Sequence, residues 1–540
     1  MHPIFHIPEL VNLIVQHLAI RGLQAVDSLE NSEWLYDKAK EAINPLDQMA
    51  LQDIKALGQA SKVFTEACLN EAWLSQTGVV GLLRLVDAVE ELPRDGLLNL
   101  SKWRVSRQLT ENDIPVLLRH SSRIQELALS STQRLVDTEG AKEMLSFGRA
   151  VILFPRLRTL SRRASGTAEL DFVISTVGDD CLTDMSAVIS GPIPPNFLVK
   201  VEERRRYLRS LYLSSAGHSK SDIGRTVKMV LAEPTGLAEL HILDDISEHI
   251  NVWDAAAQLP RLTKLTLRDA VSSSLGPSSV VTYHQLVVFD LRMGNPDTFI
   301  HAMNSVVLPS LQSFEIAVVV PTSTHRPLDV LSAISRSCDK SPLRSLSISI
   351  SPPREPPRPS EEILGPDSLD VLMRFPLTRL EIGMSWPWNL TDSSMEKIAR
   401  AWPNIAVLDL DPAGDWPIPS NVTTDGLELL SQLCPRLRML GIQFNSAPPD
   451  FYRAEELYYH VQGRVWNATL NMLAVGRSVI DSPQNVALFL SCLFPNLETC
   501  LPQMPAEEAH ELAYQQWTQV SKFLPAMGLA RRQERWWDDA

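Results

Sequence analysis

One short pattern of apolar positions, Leu-x-x-Leu-x-Leu, recurs along the chain, with isoleucine or phenylalanine at some of the leucine positions. Its ten copies begin at Ile124, Leu208, Leu237, Leu262, Leu286, Leu311, Leu343, Leu377, Ile405 and Leu437, and partial copies begin at Leu157 and Leu497. Alternating apolar residues over a few positions predict a short strand that buries one face. Because no copy can bury that face alone, the copies are expected to stack into one continuous core.

Helical patterns lie between the copies, with apolar residues three or four positions apart. Examples are Phe299, Ile300, Met303 and Val307; Leu328, Leu331 and Ile334; Leu427, Leu430 and Leu433; and Val486, Phe489, Leu490 and Leu493. The copies from Leu237 to Leu311 follow one another every 24 or 25 residues, which is within the period of leucine-rich repeats. The pattern therefore predicts an α/β solenoid with parallel strands on the concave face and helices outside.

Proline marks the predicted change from helix to strand. Six prolines stand two residues before a copy and two stand one residue before it: Pro155, Pro260, Pro309, Pro403, Pro435 and Pro495, then Pro342 and Pro376. Proline lacks an N–H group and keeps its predecessor out of the helical region. Each of these prolines is therefore expected to end a helix just before a strand begins.

The composition indicates a globular protein and bears on its binding partners and its cellular compartment. The 540 residues are 44% hydrophobic and 21% charged, as in ordinary globular proteins, and carry a net charge of −14, which disfavours binding to nucleic acid. The six cysteines are dispersed without zinc-site spacing, which favours a reducing compartment. No apolar run is long enough to span a membrane. We expect a cytoplasmic or nuclear protein that binds neither membrane nor nucleic acid.

The first 75 residues predict a different, helical module. A helical stripe of Ile7, Leu10, Val11, Ile14 and Leu18 is followed by two shorter apolar sets on either side of Ser61-Lys62, which are Leu51, Ile54 and Leu57, then Val63, Phe64 and Leu69. Three helices of this size bury little surface, so a partner or the repeats must complete their core.

This module resembles the F-box. The similarity lies in Ile7-Pro8-Glu9-Leu10-Val11-x-x-Ile14-x-x-x-Leu18 and in Asp53-Ile54-x-x-Leu57-x-x-x-Ser61-Lys62-Val63-Phe64. With Trp73 and the segment from Val475 to Leu497, nearly the whole chain looks like the F-box/leucine-rich-repeat proteins of mushroom-forming fungi. It departs from the family at residues 19–50, where the family has only a few residues.

The resemblance implies a substrate-recognition subunit of a cullin-RING (SCF-type) ubiquitin ligase, with no catalytic activity and no cofactor of its own. The N-terminal helices would bind a SKP-type adaptor and through it a cullin, while the repeats would bind a protein target. The adaptor surface is expected at Pro8, Leu10, Ile14, Leu18, Ile54, Leu57 and Phe64, with Glu9 and Asp53 as acids at helix starts. If the insertion at 19–50 covers that surface, the adaptor cannot bind.

The expected target surface is the set of side chains that alternate with the buried leucines. Its candidates are Glu239, His241, Lys264, Thr266, Arg268, Asp290, Arg292, Glu315, Arg379, Glu381, Asp409, Asp411 and Gln443. Asp409 and Asp411 are predicted to share one strand face, where paired carboxylates can bind a metal or transfer protons. Since that face is the exposed one in every repeat, we interpret them as part of the recognition surface and expect no metal.

Two alternatives stay open. One is a repeat scaffold that no longer engages a ligase, and the other is a hydrolase or transferase within the repeats, although phosphate-binding and nucleophile-elbow motifs are absent. The predicted layout is an F-box-like module at 1–75 with an insertion at about 19–50, a helical linker at 76–120, repeats at 121–500, and a helical cap at 501–540.

Overall fold

The structure is a computed structural model, and it forms two compact units, Met1–Leu262 and Thr263–Ala540. The boundary between the units lies inside the segment predicted to be one repeat array. The residues that the structure describes are 11–16, 48–60, 62–92, 101–129, 133–135, 151–163, 167–178, 180–189, 195–215, 220–232, 236–244, 246, 250–268, 276–319, 327–351, 364–384, 388–414, 416–417, 419–446, 467–480, 482–503 and 511–538.

The first unit alternates helices and strands. Its helices are α1 (Gln48–Ala60), α2 (Lys62–Leu74), α3 (Val80–Arg84), α4 (Ile114–Ser121), α5 (Thr167–Thr176), α6 (Pro195–Arg204), α7 (Lys220–Leu231) and α8 (Val252–Ala257). Its strands are β1 (Ser75–Thr77), β2 (Val89–Glu91), β3 (Ser101–Val105), β4 (Glu126–Leu129), β5 (Gln133–Leu135), β6 (Thr159–Arg163), β7 (Asp184–Ile189), β8 (Ser210–Ser215) and β9 (Glu239–Ile242).

The second unit continues the alternation. Its helices are α9 (Pro296–Asn304), α10 (Pro327–Ser337), a 3₁₀ turn (Asp370–Leu372), α11 (Asp392–Ala401), α12 (Thr424–Leu433), α13 (Pro483–Leu493) and α14 (Glu511–Asp538). Its strands are β10 (Lys264–Arg268), β11 (Val281–Thr282), β12 (Val288–Met293), β13 (Val306–Val307), β14 (Ser313–Val319), β15 (Ser345–Ser351), β16 (Arg379–Met384), β17 (Val407–Asp409), β18 (Met439–Gly441), β19 (Met472–Gly476) and β20 (Thr499–Pro502).

Parallel strands dominate both units, which confirms the predicted mixed α/β class. Within the described residues the large sheet has 15 strands, of which β1, β4 and β6–β9 belong to the first unit and β10, β12 and β14–β20 to the second. In each unit every strand of this sheet pairs with the next sheet strand along the chain. The small additional sheets are β2–β3–β5 and β11–β13.

The apolar positions of the repeated pattern pair in register. In the second unit one buried column contains Leu265, Phe289, Phe314, Leu346, Leu380, Leu408, Leu440, Leu473 and Cys500. Within this column the rings of Phe289 and Phe314 stack with centroids 5.2 Å apart. A shift of one residue would turn every apolar side chain to the other face, so burial of this face fixes the register.

A repeated backbone contact fixes where each strand begins. The Gln125 carbonyl accepts hydrogen bonds from the N–H groups of Arg158 (2.7 Å) and Thr159 (3.0 Å), the residues at the start of the next strand. The same double contact recurs at the carbonyls of Arg158, Thr183, Arg209, Thr263, Val287, Gln312, Arg344, Thr378, Ala406, Arg438 and Asn471. These residues share one position, which we call the strand-start position.

Three of the eight prolines end a helix where the sequence predicts it. Helices α11, α12 and α13 are followed by Trp402, Cys434 and Phe494, each of which precedes a proline and has left the helical region, with ψ angles of 64°, 71° and 74°. The N–H of each of these three residues still bonds the carbonyl four residues earlier. The helix therefore stops at the residue whose backbone the following proline restricts.

The segment predicted to be a helical linker, residues 76–120, is different from expectation. It holds α3 and α4 but also most of β1 and all of β2 and β3. Strand β1 pairs with β4, so the parallel sheet already begins at Ser75. The backbone groups of Ser75–Thr77 are satisfied by the ladder with β4 in place of a helix.

One acid lies inside the first unit. Glu169, in the first turn of α5, is fully buried and accepts a hydrogen bond from the backbone N–H of Val79 (3.1 Å). Burial raises the pKa of Glu169 to about 7, although this hydrogen bond and the buried guanidinium of Arg162 favour the ionised form. The ionised acid is therefore a cost to the folded state at neutral pH.

We predict that Glu169→Gln abolishes a loss of stability that the wild type undergoes as the pH rises towards neutrality. The folded pKa exceeds the ordinary value of 4.5, so wild-type stability falls as the pH rises from 4.5 to 7, by up to ~3 kcal/mol. Glutamine keeps the acceptor for Val79 and does not ionise. The urea midpoint of the variant should therefore rise relative to wild type between pH 5 and 8, whereas the exposed control Glu498→Gln should show a constant difference. A constant difference for Glu169→Gln would contradict the prediction.

Candidate functional site

The N-terminal module, here residues 11–16 together with α1 and α2, has its own small core. Val11, Val15, Ile54, Phe64, Ala67 and Cys68 are buried together, and Leu57 packs against them. Ile54 and Phe64 therefore stabilise the module from within, which corrects the expectation that they face an adaptor. Their apolar spacing indicated burial correctly but not what buries them.

The exposed apolar residues of this module are Leu13 and Ile14. Leu13 is 58% exposed on the side of the helical residues 11–16 opposite to Val11 and Val15, and Ile14 is 40% exposed at the edge of the buried side. Asp53 is exposed but lies within α1 and not at its start, because the helix already begins at Gln48. Pro8, Glu9, Leu10 and Leu18 lie outside the described residues, as do residues 19–47 of the insertion predicted at 19–50, whose last three residues begin α1.

The module is joined directly to the sheet. Helix α2 ends at Leu74, and the next residues form β1. The Leu74 carbonyl accepts a hydrogen bond from the Gln125 N–H (2.9 Å), and the Arg123 guanidinium donates to Asn70 (2.8 Å) and forms an ion pair with Glu66. The N-terminal module, with its exposed Leu13 and Ile14, therefore belongs to the same unit as the first strands of the sheet.

The strand side chains that alternate with the buried column form what we call the open face. In the first unit its last two strands carry Tyr212, Glu239 and His241. The rings of Tyr212 and His241 lie 5.9 Å apart, and the His241 imidazole is 3.6 Å from the Glu239 carboxylate. Glu239 and His241, the two target-surface candidates in this unit, therefore lie together on β9. The neighbouring Tyr212 ring was not among the predicted candidates.

The open face of the second unit carries charges of both signs. Arg268 donates to Asp290 on the neighbouring strand (2.8 Å), and Arg379 donates to Glu381 on its own strand (2.8 Å). Lys264, Arg292 and Glu315 are half-buried on the same face. Three serines of β15, Ser345, Ser347 and Ser349, separate the two ion pairs. The open face of this unit therefore carries charges of both signs, some of them paired within or between strands, together with serine hydroxyl groups that can form hydrogen bonds.

Two of the predicted surface residues are buried. Thr266 is 4% exposed and Gln443 is 1% exposed. The Gln443 amide donates to the carbonyls of Pro412 (2.8 Å) and Gly414 (3.3 Å), so it holds the turn that follows β17. Because this turn folds over Gln443, the side chain cannot contact a target, which corrects the expectation from alternation alone.

Asp409 and Asp411 do not share a strand face as predicted. Strand β17 ends at Asp409, and Asp411 adopts a φ of 54° in the turn. The Asp409 carboxylate accepts a hydrogen bond from the Asp411 N–H (3.1 Å), while burial and the neighbouring Glu381 raise the pKa of Asp409 to about 6. Gly441, the residue opposite Asp409, leaves room for the carboxylate, since a Cβ there would lie 2.6 Å from it.

The open face is an extended surface to which several adjacent strands contribute. No group of three or more His, Cys, Asp or Glu side chains in the described ranges is arranged to hold a metal ion. None of the helices within those ranges combines the length and apolar character needed to cross a membrane. Paired charges spread over several adjacent strands provide an extended surface for another macromolecule.

Comparison with known proteins adds no assignment. No protein-family model matches the sequence, and no curated protein matches it either.

Proposed function

We propose that this chain is a non-catalytic substrate-recognition subunit of an SCF-type ubiquitin ligase, in which an F-box-like N-terminal module binds a SKP-type adaptor and a leucine-rich-repeat solenoid binds a protein target. The observation that carries the proposal is the chain-order pairing of the parallel strands within each unit. One side of each strand is buried and the other side of several strands carries charge, which is the arrangement of a repeat protein with an extended binding surface.

The role of such a subunit is to bring reactants together. A target held on the open face and a ubiquitin-charged enzyme held through the adaptor would react at high effective concentration. The chain itself needs no nucleophile or metal for this. Leu13 and Ile14 support the first half of the proposal, since they expose apolar area at the helix that resembles the start of an F-box.

We predict that Leu13→Asp together with Ile14→Asp abolishes capture of a SKP-type adaptor. Both side chains are exposed in the free chain, so folding should be unaffected. A carboxylate buried without a partner in the complex costs several kcal/mol, which lowers affinity by a hundredfold or more. The measurement is co-purification of the recombinant adaptor with the full chain.

The matched control is Val280→Asp, which also replaces an exposed apolar side chain (71% exposed) in the second unit. This variant should capture adaptor like wild type. If well-folded wild-type protein fails to capture adaptor, the ligase proposal is wrong and the repeat scaffold without a ligase replaces it. That alternative draws support from Ile54 and Phe64, whose apolar surface is used within the module.

A further inference from the structure

A polar groove runs along the strand-start edge of the first unit. It consists of two adjoining cavities of about 520 Å³ and 700 Å³, which share Gln125 and Arg156. The larger cavity is lined by residues at four successive strand-start positions, which are Gln125, Arg158, Thr183 and Arg209. None of these residues was singled out by the sequence analysis.

Three guanidinium groups in this groove are exposed and have no side-chain partner among the residues that the structure describes. Arg156, Arg158 and Arg209 are exposed, and no described residue forms an ion pair or side-chain hydrogen bond with any of them. This differs from Arg123 at one end of the groove, which is paired with Glu66. Arginine side chains are suited to pairing with carboxylates because the planar guanidinium presents parallel N–H donors.

The backbone sets the spacing of two of these arginines. Arg158 and Arg209 occupy the strand-start position on β6 and β8, with Thr183 at the same position on β7 between them. Adjacent strands lie about 4.8 Å apart, so the two Cα atoms are separated by about 9.5 Å. In an extended polyproline-II peptide, residues three apart face the same side at about 9.3 Å. The two spacings match.

The charges around the groove favour a peptide over a nucleic acid. Asp180 and Asp184 line the same cavity, and the chain carries a net charge of −14. A continuous phosphate backbone would be repelled by both. A peptide places carboxylates only at intervals, and its backbone N–H groups can donate to these two acids.

We propose that the groove formed by Arg156, Arg158 and Arg209 binds an extended acidic peptide, with carboxylates three residues apart paired to Arg158 and Arg209. The inference rests on the proposed function in one respect: if the chain is a substrate-recognition subunit, the bound peptide is a segment of its target protein. Binding itself requires neither an adaptor nor a ligase.

The test is the binding of a fluorescent peptide to the full chain, measured by anisotropy without adaptor. The peptide carries glutamate at every third position with proline and serine between, and its counterpart carries glutamine at those positions. Wild type should bind the glutamate peptide at least tenfold more tightly than the glutamine peptide, and the affinity should fall as salt is added. Arg158→Glu together with Arg209→Glu should weaken binding of the glutamate peptide at least tenfold.

The matched control is Arg344→Glu together with Arg438→Glu. Both residues are exposed and occupy the strand-start position in the second unit, and this double change alters the net charge by the same amount. Arg344 precedes β15 and Arg438 precedes β18, so the two arginines are three strands apart, whereas Arg158 and Arg209 are two strands apart. This control should bind the peptide like wild type. Equal binding of the two peptides by wild type, or an equal loss in both double variants, would overturn the proposal. The variants leave Leu13 and Ile14 intact, so adaptor capture is scored separately.

Discussion

Replacement of Gly476 by alanine is expected to cause a large loss of stability in the second unit. Gly476 ends β19 with a φ of +55°, and a Cβ at this position would lie 1.6 Å from the Pro412 carbonyl oxygen. The left-handed conformation alone costs a residue with a Cβ roughly 1–2 kcal/mol. The overlap with Pro412 cannot be relieved by a side-chain rotation, so the backbone must move. We expect a total loss of about 3 kcal/mol or more.

The backbone movement would also break a second contact. The same Pro412 carbonyl accepts the hydrogen bond from Gln443, which holds the turn after β17. The expected loss is measured as a lower midpoint of urea unfolding, monitored by tryptophan fluorescence. Gly383→Ala is the matched control, since the nearest atom to its new Cβ is 3.8 Å away, and it should be close to wild type. A Gly476→Ala variant as stable as that control would contradict this account of the turn.

Replacement of Trp517 by alanine is the second change with a large expected effect. Trp517 in α14 is fully buried, its indole N–H donates to the Ser478 carbonyl (2.9 Å), and its ring meets Phe444 edge-on with centroids 5.6 Å apart. Loss of a buried tryptophan side chain costs about 3–5 kcal/mol. Helix α14 packs on α13 and β20, so the variant should also uncover the last strand of the sheet.

An uncovered edge strand can pair with another chain, so this variant is expected to aggregate as well as to unfold at lower urea concentration. Trp517→Phe keeps most of the apolar volume and should lose only about 1 kcal/mol with the hydrogen bond. Leu512→Ala, at an exposed position of the same helix, should behave like wild type. If Trp517→Ala remains monomeric and as stable as Leu512→Ala, then α14 does not protect the end of the sheet.

Helix α14 also refines the expected C-terminal cap. The cap predicted at residues 501–540 contains a helix whose Trp517, Val520 and Leu524 are buried, and its Ser521 hydroxyl donates to the Cys500 carbonyl of β20 (3.0 Å). The start of the segment still belongs to the sheet, because β20 extends to Pro502.

Most strands of the large sheet could be predicted because they depend on a local signal, whereas β1, β7 and β19 carry no copy of the repeated pattern that the sequence showed. In each copy the apolar residues alternate, and alternation places them on one face whatever the neighbouring strand is. Leu265, Leu380 and Leu440 accordingly lie in one buried column. Proline acts through the backbone of the residue before it, so the ends of α11, α12 and α13 were equally predictable.

The open face could be predicted only in part, because alternation separates two faces but does not report what folds over them. Gln443 and Glu381 have the same alternating pattern, yet the turn at Pro412–Gly414 buries Gln443 and leaves Glu381 half-exposed. The left-handed conformation of Asp411 has the same origin, since the Asp411 carbonyl accepts the indole N–H of Trp416 across that turn. These contacts join residues whose proximity no local pattern encodes.

In the N-terminal module, too, the local apolar spacing predicted the helices but not which of their residues are buried. Its apolar spacing identified helices, and the described core contains Val11, Ile54 and Phe64. The spacing could not decide that Ile14 faces solvent while Val11 faces inward, since both belong to one apolar stripe and the choice depends on where α1 and α2 pack.

By itself, the sequence determined the mixed α/β class, most of the parallel strands, and the ends of α11, α12 and α13 at proline, because periodicity and backbone restriction act within a few residues. Only the tertiary structure decided which polar side chains reach solvent, where Glu169 is buried, and that Arg156, Arg158 and Arg209 line one groove. Burial and the alignment of side chains from successive repeats arise only when distant segments pack against one another.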